Sequence, residues 1–274
     1  MMQLCLSMWS LHKKYFNEGW NVLDFLNFCR EHDIQNVELL DVFWRDKETE
    51  LVQVKQFLKE HQMTVGAYAV SNDFVNANEA LRQKAEDSIK SGIRTALELE
   101  TKTVRVFAGD LKPDYDFNNA QTYIVDGFKR VAPVAESADV IMALENHGKL
   151  AGRGDQVRTI IEQVGSANLR STFDMGNFLL VGQSPLDAMG QLSSLIGHVH
   201  VKDFLASKEG KGYQAISGDY YEGMACGQGE VPIEKLVDQL KQTGYQDYVS
   251  LEYEGFGDEI SGVLDSFAYL RPLF

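Results

Sequence analysis

The chain is poor in cysteine, short of positive charge and free of long apolar runs, and each shortage excludes something. Its 274 residues include three cysteines, Cys5, Cys29 and Cys226. The count is odd and the spacing wide. No Cys-x-x-Cys pair or Cys/His cluster occurs, so neither a disulfide framework nor a structural zinc site is expected. Lys and Arg number 26 against 40 Asp and Glu, a formal net charge of −14. Such a surface repels polyphosphates and anionic lipids, which argues against nucleic-acid and membrane partners. No apolar run reaches the ~18 residues of a membrane span. Residues Met1 to Ser10 carry neither the basic region nor the apolar core of a signal peptide. Reduced thiols and a cytoplasmic location are therefore expected. There is no linker, low-complexity tract or internal repeat, so residues 1–274 are expected to form one domain.

What is present is a regular alternation of short β-rich runs and longer helical patterns. The runs that read as strands are Gln3–Met8, Asn36–Leu40, Thr64–Ala69, Thr103–Phe107, Val140–Glu145, Leu169–Phe173, His198–Lys202 and Tyr248–Glu252. Between and after them, helical periodicity covers Val22–His32, Thr49–His61, Ala77–Glu100, Ala120–Ser137, Gln156–Val164, Pro185–Leu195, Ile233–Thr243 and Glu259–Leu270. Eight strands each followed by a helix is the count of a closed (β/α)8 TIM barrel, which takes about 250 residues. An open doubly wound sheet would want a glycine-rich phosphate turn after its first strand. The residues there are Trp9-Ser10-Leu11-His12, so the barrel is the expected fold. The longest irregular stretch, Leu205–Glu230, becomes the loop after strand seven.

Chemistry in such a barrel sits at the C-terminal strand ends. Strand five ends in Glu145, strand six in Asp174, strand seven carries His200 and strand eight ends in Glu252. Any one of these can be a helix cap or loop anchor. Four ligand-type residues ending four consecutive strands are much harder to ascribe to chance. Three carboxylates and one imidazole suit a hard or borderline divalent cation, Mn²⁺, Mg²⁺, Co²⁺ or Zn²⁺. On strand seven, His198, His200 and Lys202 share one face. His198 lies one pleat deeper and reads as a packed histidine. Lys202 reads as a single positive charge at the mouth, and Asp203 as a cap on the next turn. Arg105, a charge inside a β-run, points into the barrel toward an acid, with Glu38 a candidate partner, and can equally contact substrate. Trp9, Trp44, Tyr68 and Phe107 are candidates to wall a pocket. His147 is a candidate substrate contact, while Asn146 and Asn177 can orient ligands or bond sugar hydroxyls.

These motifs resemble the xylose-isomerase-like TIM barrels, the sugar and sugar-phosphate isomerases and epimerases. The resemblance runs through Leu144-Glu145-Asn146-His147-Gly148, Phe173-Asp174-Met175-Gly176-Asn177 and His198-Val199-His200-Val201-Lys202-Asp203. It continues through Gly227-Gln228-Gly229-Glu230-Val231-Pro232 and the run from Gly244 to Glu252. It implies one divalent metal on Glu145, Asp174, His200 and Glu252. It also implies that Glu145 and Glu252 double as acid/base groups, moving a proton through a metal-stabilised enediolate. Substrate contacts would fall to His147, Asn146, Lys202, Asn177, Trp9 and Arg105. Two positions depart from the free-ketose epimerases. Asn177 stands where a His is frequent, and Ala206 where an Arg is frequent. Dehydratases of keto-cyclitols or related keto acids use the same metal site, and a non-catalytic sugar-binding barrel is a further alternative. The branch resembling endonuclease IV needs three metals and many more histidines than the six here. The expected partner is a small carbohydrate, and a homo-oligomer is compatible with the sequence. Phosphate groups would need cations near Lys208 and Lys211, but Glu254, Asp258 and Glu259 make the strand-eight loop acidic. A non-phosphorylated polyol or keto-sugar is therefore expected.

Overall fold

A computed structural model describes residues 2–274. Eight parallel strands close into a barrel: β1 (Gln3–Ser7), β2 (Asn36–Leu40), β3 (Thr64–Ala69), β4 (Thr103–Val106), β5 (Ile141–Glu145), β6 (Leu169–Asp174), β7 (Ile196–Val201) and, last in the chain, β11 (Tyr248–Leu251). β11 sits between β7 and β1, so its two ladders complete the ring. The helices outside are α1 (His12–Glu18), α2 (Val22–Glu31), α3 (Lys47–His61), α4 (Glu79–Glu98), α5 (Phe117–Ala138), α6 (Gly154–Val164), α7 (Asn177–Leu180), α8 (Pro185–Leu192), α9 (Ile233–Thr243) and α10 (Glu259–Leu270). This is the (β/α)8 architecture expected from the alternation. Among the described residues, no helix is long and apolar enough to cross a membrane.

Local chemistry explains the helix ends. Asn21 caps α2 by accepting from Leu23 N and Asp24 N, while Asp24 returns a bond to Asn21 N. Ser184 caps α8, with Pro185 at the first helical position. Helices α6 and α9 stop at Gly165 and Gly244, both in the left-handed region. Helices α1 and α7, about two turns and one turn long, carry too little periodicity to show in the sequence.

The stretch after β7 differs from expectation. It is not one irregular loop but a three-stranded antiparallel sheet of β8 (Asp203–Ala206), β9 (Tyr213–Gln214) and β10 (Tyr220–Met224), in the order β8-β10-β9. The strands are too short and glycine-interrupted to alternate visibly. Gly212, at φ +115°, lies so close to Tyr221 that a Cβ would fall 2.1 Å from its carbonyl oxygen. Asp203 holds the return of this ribbon. Its buried carboxylate accepts the backbone N–H groups of Gly227 (2.9 Å), Gly229 (2.8 Å) and Val231 (3.0 Å). It therefore pins a segment more than twenty residues away, beyond the next-turn cap that the sequence suggested. Asp203→Asn puts an amide N–H against these donors. It should cost about 3 kcal/mol and lower the melting temperature by about 2–4 °C per kcal/mol, as a thermal melt can check.

Candidate metal centre

Four side chains meet just inside the C-terminal mouth of the barrel. Glu145 ends β5, Asp174 ends β6, His200 is on β7 and Glu252 follows β11. Strand pairing aligns them: Asp174 is opposite His200, and Ser250, two residues before Glu252, is opposite His200 on the other side. One donor atom from each lies within 4.8 Å of the others, and all four residues are buried. From His200 Nδ1, Glu252 Oε2 is 3.6 Å away, and Glu145 Oε2 and Asp174 Oδ2 are each 3.8 Å away. Three of these atoms, Glu145 Oε2, Asp174 Oδ2 and His200 Nδ1, are buried without a hydrogen-bond partner. Buried polar atoms are normally paired, because each unpaired one costs about 1–3 kcal/mol. Convergent orphans from three strands therefore have the chemistry of a donor set for a divalent cation, and the residues fit that group.

The other oxygen of Asp174 and of Glu145 is spent on holding the side chain in place. Asp174 Oδ1 accepts from the backbone N–H groups of Gly176 (2.9 Å) and Asn177 (2.8 Å). Glu145 Oε1 accepts from Asn177 Nδ2 at 3.1 Å. Asn146 gives Nδ2 to the Asp174 carbonyl (3.1 Å) and takes the Asp174 N–H on Oδ1 (2.8 Å). Asn146 and Asn177 thus brace Asp174 and Glu145, the orienting role that is one of the two the sequence suggests for them.

The expected pairing of Arg105 with Glu38 is not what forms. Arg105 Nε lies 3.2 Å from Glu145 Oε2. The register explains this. Arg105 is level with Ala69 on β3, which is level with Leu40, so Glu38 sits one pleat deeper. Glu38, fully buried, takes both histidines instead. His198 Nε2 donates to it at 2.7 Å and His200 Nε2 at 3.1 Å. These two imidazoles hold its carboxyl well below the usual range despite burial. With Nε2–H committed to Glu38, His200 presents Nδ1 to the three acids. The sequence marks Glu38 only as a lone charge in an apolar strand. Its role follows from register, which the sequence does not show.

Lys202 is not at the mouth but 2% exposed. Its ammonium touches Glu252 Oε2 (2.6 Å), Asp174 Oδ2 (3.1 Å) and Glu254 Oε2 (3.1 Å). Burial alone would lower its pKa, but Asp174, Glu252 and Glu254 raise it well above the ordinary value. In return, burial would raise Glu252, but Lys202 and His200 hold it low. Burial lifts Asp174 to about 6, against the pull of Lys202, and likewise raises Glu145 against His200 and Arg105.

The rim is aromatic on two opposite sides. Trp9, after β1, stacks on His12 (4.7 Å between centroids) and donates its indole N–H to Glu254 Oε1 at 3.0 Å. Across the mouth, His147 packs on Phe107 (4.4 Å), whose face carries the Arg105 guanidinium (4.0 Å). His147 as a residue is exposed. The mass packed behind it, together with Lys202 and Arg105, still lowers its pKa. Tyr68 does not wall this pocket. It is fully buried beneath Lys47 of α3, on the helix side of the barrel wall.

A family profile described as xylose isomerase-like TIM barrel matches residues 26–273. Uncharacterized protein MJ1311 of Methanocaldococcus jannaschii is 25% identical over 191 residues, 67% of this chain and 61% of that protein's length. Among solved structures, 3-keto-D-glucoside 4-epimerase of Escherichia coli is similar with a TM-score of 0.78 and 18% identity, covering 99% of this chain and all of that one. The IolI protein, solved with a bound zinc atom, is similar with a TM-score of 0.78 and 18% identity, covering 99% of this chain and 98% of its own.

Proposed function

Because the chain belongs to the xylose isomerase-like TIM barrel family, we propose that it is a divalent-metal-dependent isomerase or epimerase of a sugar, keto-sugar or sugar derivative. The observation that carries this reading is the convergence of Glu145 Oε2, Asp174 Oδ2 and His200 Nδ1, buried and without a hydrogen bond, with Glu252 completing the set. The metal-bound and epimerase relatives support it. When bound, the cation supplies Lewis acidity that makes a hydrogen beside a carbonyl labile.

The protein's own groups do the rest. Glu145 and Glu252 approach the pocket from β5 and β11, on different sides of the ring, so one can take a proton from the substrate and the other return it. Return to the opposite face of the same carbon epimerises; return to the neighbouring carbon isomerises. Lys202 and Arg105 are held beside these acids, where each can steady a substrate oxygen. Phe107, His147 and Trp9 are placed to cover the apolar faces of a sugar and keep water away from the transfer. Both pocket cations already face carboxylates, and Lys208 and Lys211 lie exposed on the ribbon. The substrate end is therefore read as hydroxylated and uncharged. Among matched sugar and sugar-phosphate pairs, the free sugar should have the higher kcat/KM. A hundredfold advantage for the ester, about 2.7 kcal/mol, would rule this out.

The decisive experiment is turnover in D₂O by metal-loaded protein over a panel of keto-sugars. An isomerase or epimerase places deuterium in a product of unchanged formula. A product lighter by one water makes it a lyase. No turnover, with a melting temperature that still drops on chelation, makes it a binding barrel. Metal uptake also has an expected pH dependence. Glu38, Glu252 and Glu145 raise the His200 pKa well above its usual value despite burial. A proton on Nδ1 must leave before a cation can bind there. Below that raised pKa, affinity should therefore increase with pH, by up to about tenfold per unit for each proton displaced. Mn²⁺ titrations at three pH values can check this.

A further inference from the structure

A lysine that only met substrate would stand at the rim. Lys202 instead reaches inward, and two of its three partners, Asp174 Oδ2 and Glu252 Oε2, are the oxygens that face His200 Nδ1. An ammonium and a divalent cation would draw on the same two atoms, and like charges at such range repel. The third partner is different in kind. Glu254 is outside the four-residue cluster, and its second oxygen is tied to the Trp9 indole at 3.0 Å. That bond fixes Glu254 on the outer side of the ammonium. The lysine stem has little freedom of its own. It lies in a slot over Gly176, where a Cβ would come 2.5 Å from Lys202 Cγ and 3.1 Å from the Phe204 ring. The ammonium can therefore shift only among the oxygens it already touches.

We infer that Glu254 is a positioning residue for Lys202, the seat onto which the ammonium is drawn when a divalent cation takes Asp174 Oδ2 and Glu252 Oε2. This rests on the metal reading of the cluster. Lys202 balances the two inner carboxylates until the cation arrives. It then leans on Glu254, between the cation and the mouth, where it faces the substrate. The two residues act on metal affinity in opposite directions: Lys202 competes for the ligand oxygens, and Glu254 relieves the competition.

The test is calorimetric titration of Mn²⁺ alone into metal-stripped wild-type protein, Lys202→Met, Glu254→Gln and the double variant. Lys202→Met keeps the stem and removes the charge. Its Mn²⁺ Kd should fall about tenfold, and that of Glu254→Gln should rise about fivefold, within the range of outer-shell effects on metal sites. In the Lys202→Met background, Glu254→Gln should change Kd by less than about twofold, because no ammonium remains to be seated. Melting curves give a second readout that tolerates a fragile variant. Metal-free Lys202→Met should melt below the wild type yet gain more from saturating Mn²⁺, and Glu254→Gln should gain less. Weaker Mn²⁺ binding by Lys202→Met would overturn the inference. So would an equal Glu254→Gln penalty in both backgrounds, since Glu254 would then act by its charge alone. A wild type that takes up no Mn²⁺ would overturn the metal reading first, and the inference with it, so the two failures are distinct.

Discussion

Glu252→Gln is expected to reduce kcat by about ten-thousandfold, the upper end of what a proton-transferring group contributes, while the barrel stays folded. The carboxylate lies 3.6 Å from His200 Nδ1 and 2.6 Å from the Lys202 ammonium. A glutamine is nearly the same size, so packing survives. Its amide cannot take a proton from carbon, and it offers a neutral oxygen where an anionic carboxylate stood. Its NH₂ group, turned either way, must avoid the ammonium or the imidazole. Single-turnover kinetics with a melting curve on the same sample separate loss of chemistry from loss of fold. A kcat within tenfold of the wild type would show that Glu252 is neither base nor ligand.

Glu38→Gln is expected to weaken divalent-metal binding by about 10–100-fold and to destabilise the protein by about 3 kcal/mol, although Glu38 is outside the candidate ligand set. Two imidazole N–H groups end on this one buried carboxylate. A glutamine has one accepting oxygen and brings an N–H₂ of its own, so at least one histidine loses its partner. If that is His200, the ring is free to rotate or to move its proton to Nδ1. Asp203→Asn is the control. It should lose stability by a similar amount with Mn²⁺ affinity unchanged, because Asp203 anchors the ribbon and not the imidazole. Equal metal affinity in Glu38→Gln and wild type would remove Glu38 from the centre altogether.

The barrel was legible because each strand is a short apolar run flanked by a long helical period. Ile233–Thr243 and Glu259–Leu270 were predicted to the residue. The four convergent side chains were legible because chemistry in this architecture gathers at strand ends. What stayed hidden depends on register. Arg105 and Glu38 both sit in apolar strands and both face inward, so the sequence offered them to each other. Only the relative shift of β2, β3 and β4, with an irregularity at Val37/Glu38, sends one to Glu145 and the other to the histidines. The burial of Lys202 was hidden for another reason. Its depth is set by a glycine slot at position 176 and an acid at 254, neither of which is its neighbour in sequence. Trp9 stands just after β1, but a sequence cannot show that its N–H is spent on Glu254.

The position of β11 gives the molecule an order of assembly. It is the strand that closes the ring, and Glu252 follows directly upon it, whereas Glu145, Asp174 and His200 come from strands made earlier. During synthesis those three can gather while the ring is still open, but the fourth side chain and the last two ladders arrive together. A chain stalled or cut before residue 248 would expose the edges of β1 and β7 and hold an incomplete centre at the same time. On the proposed metal reading, cation capture would therefore follow closure of the ring.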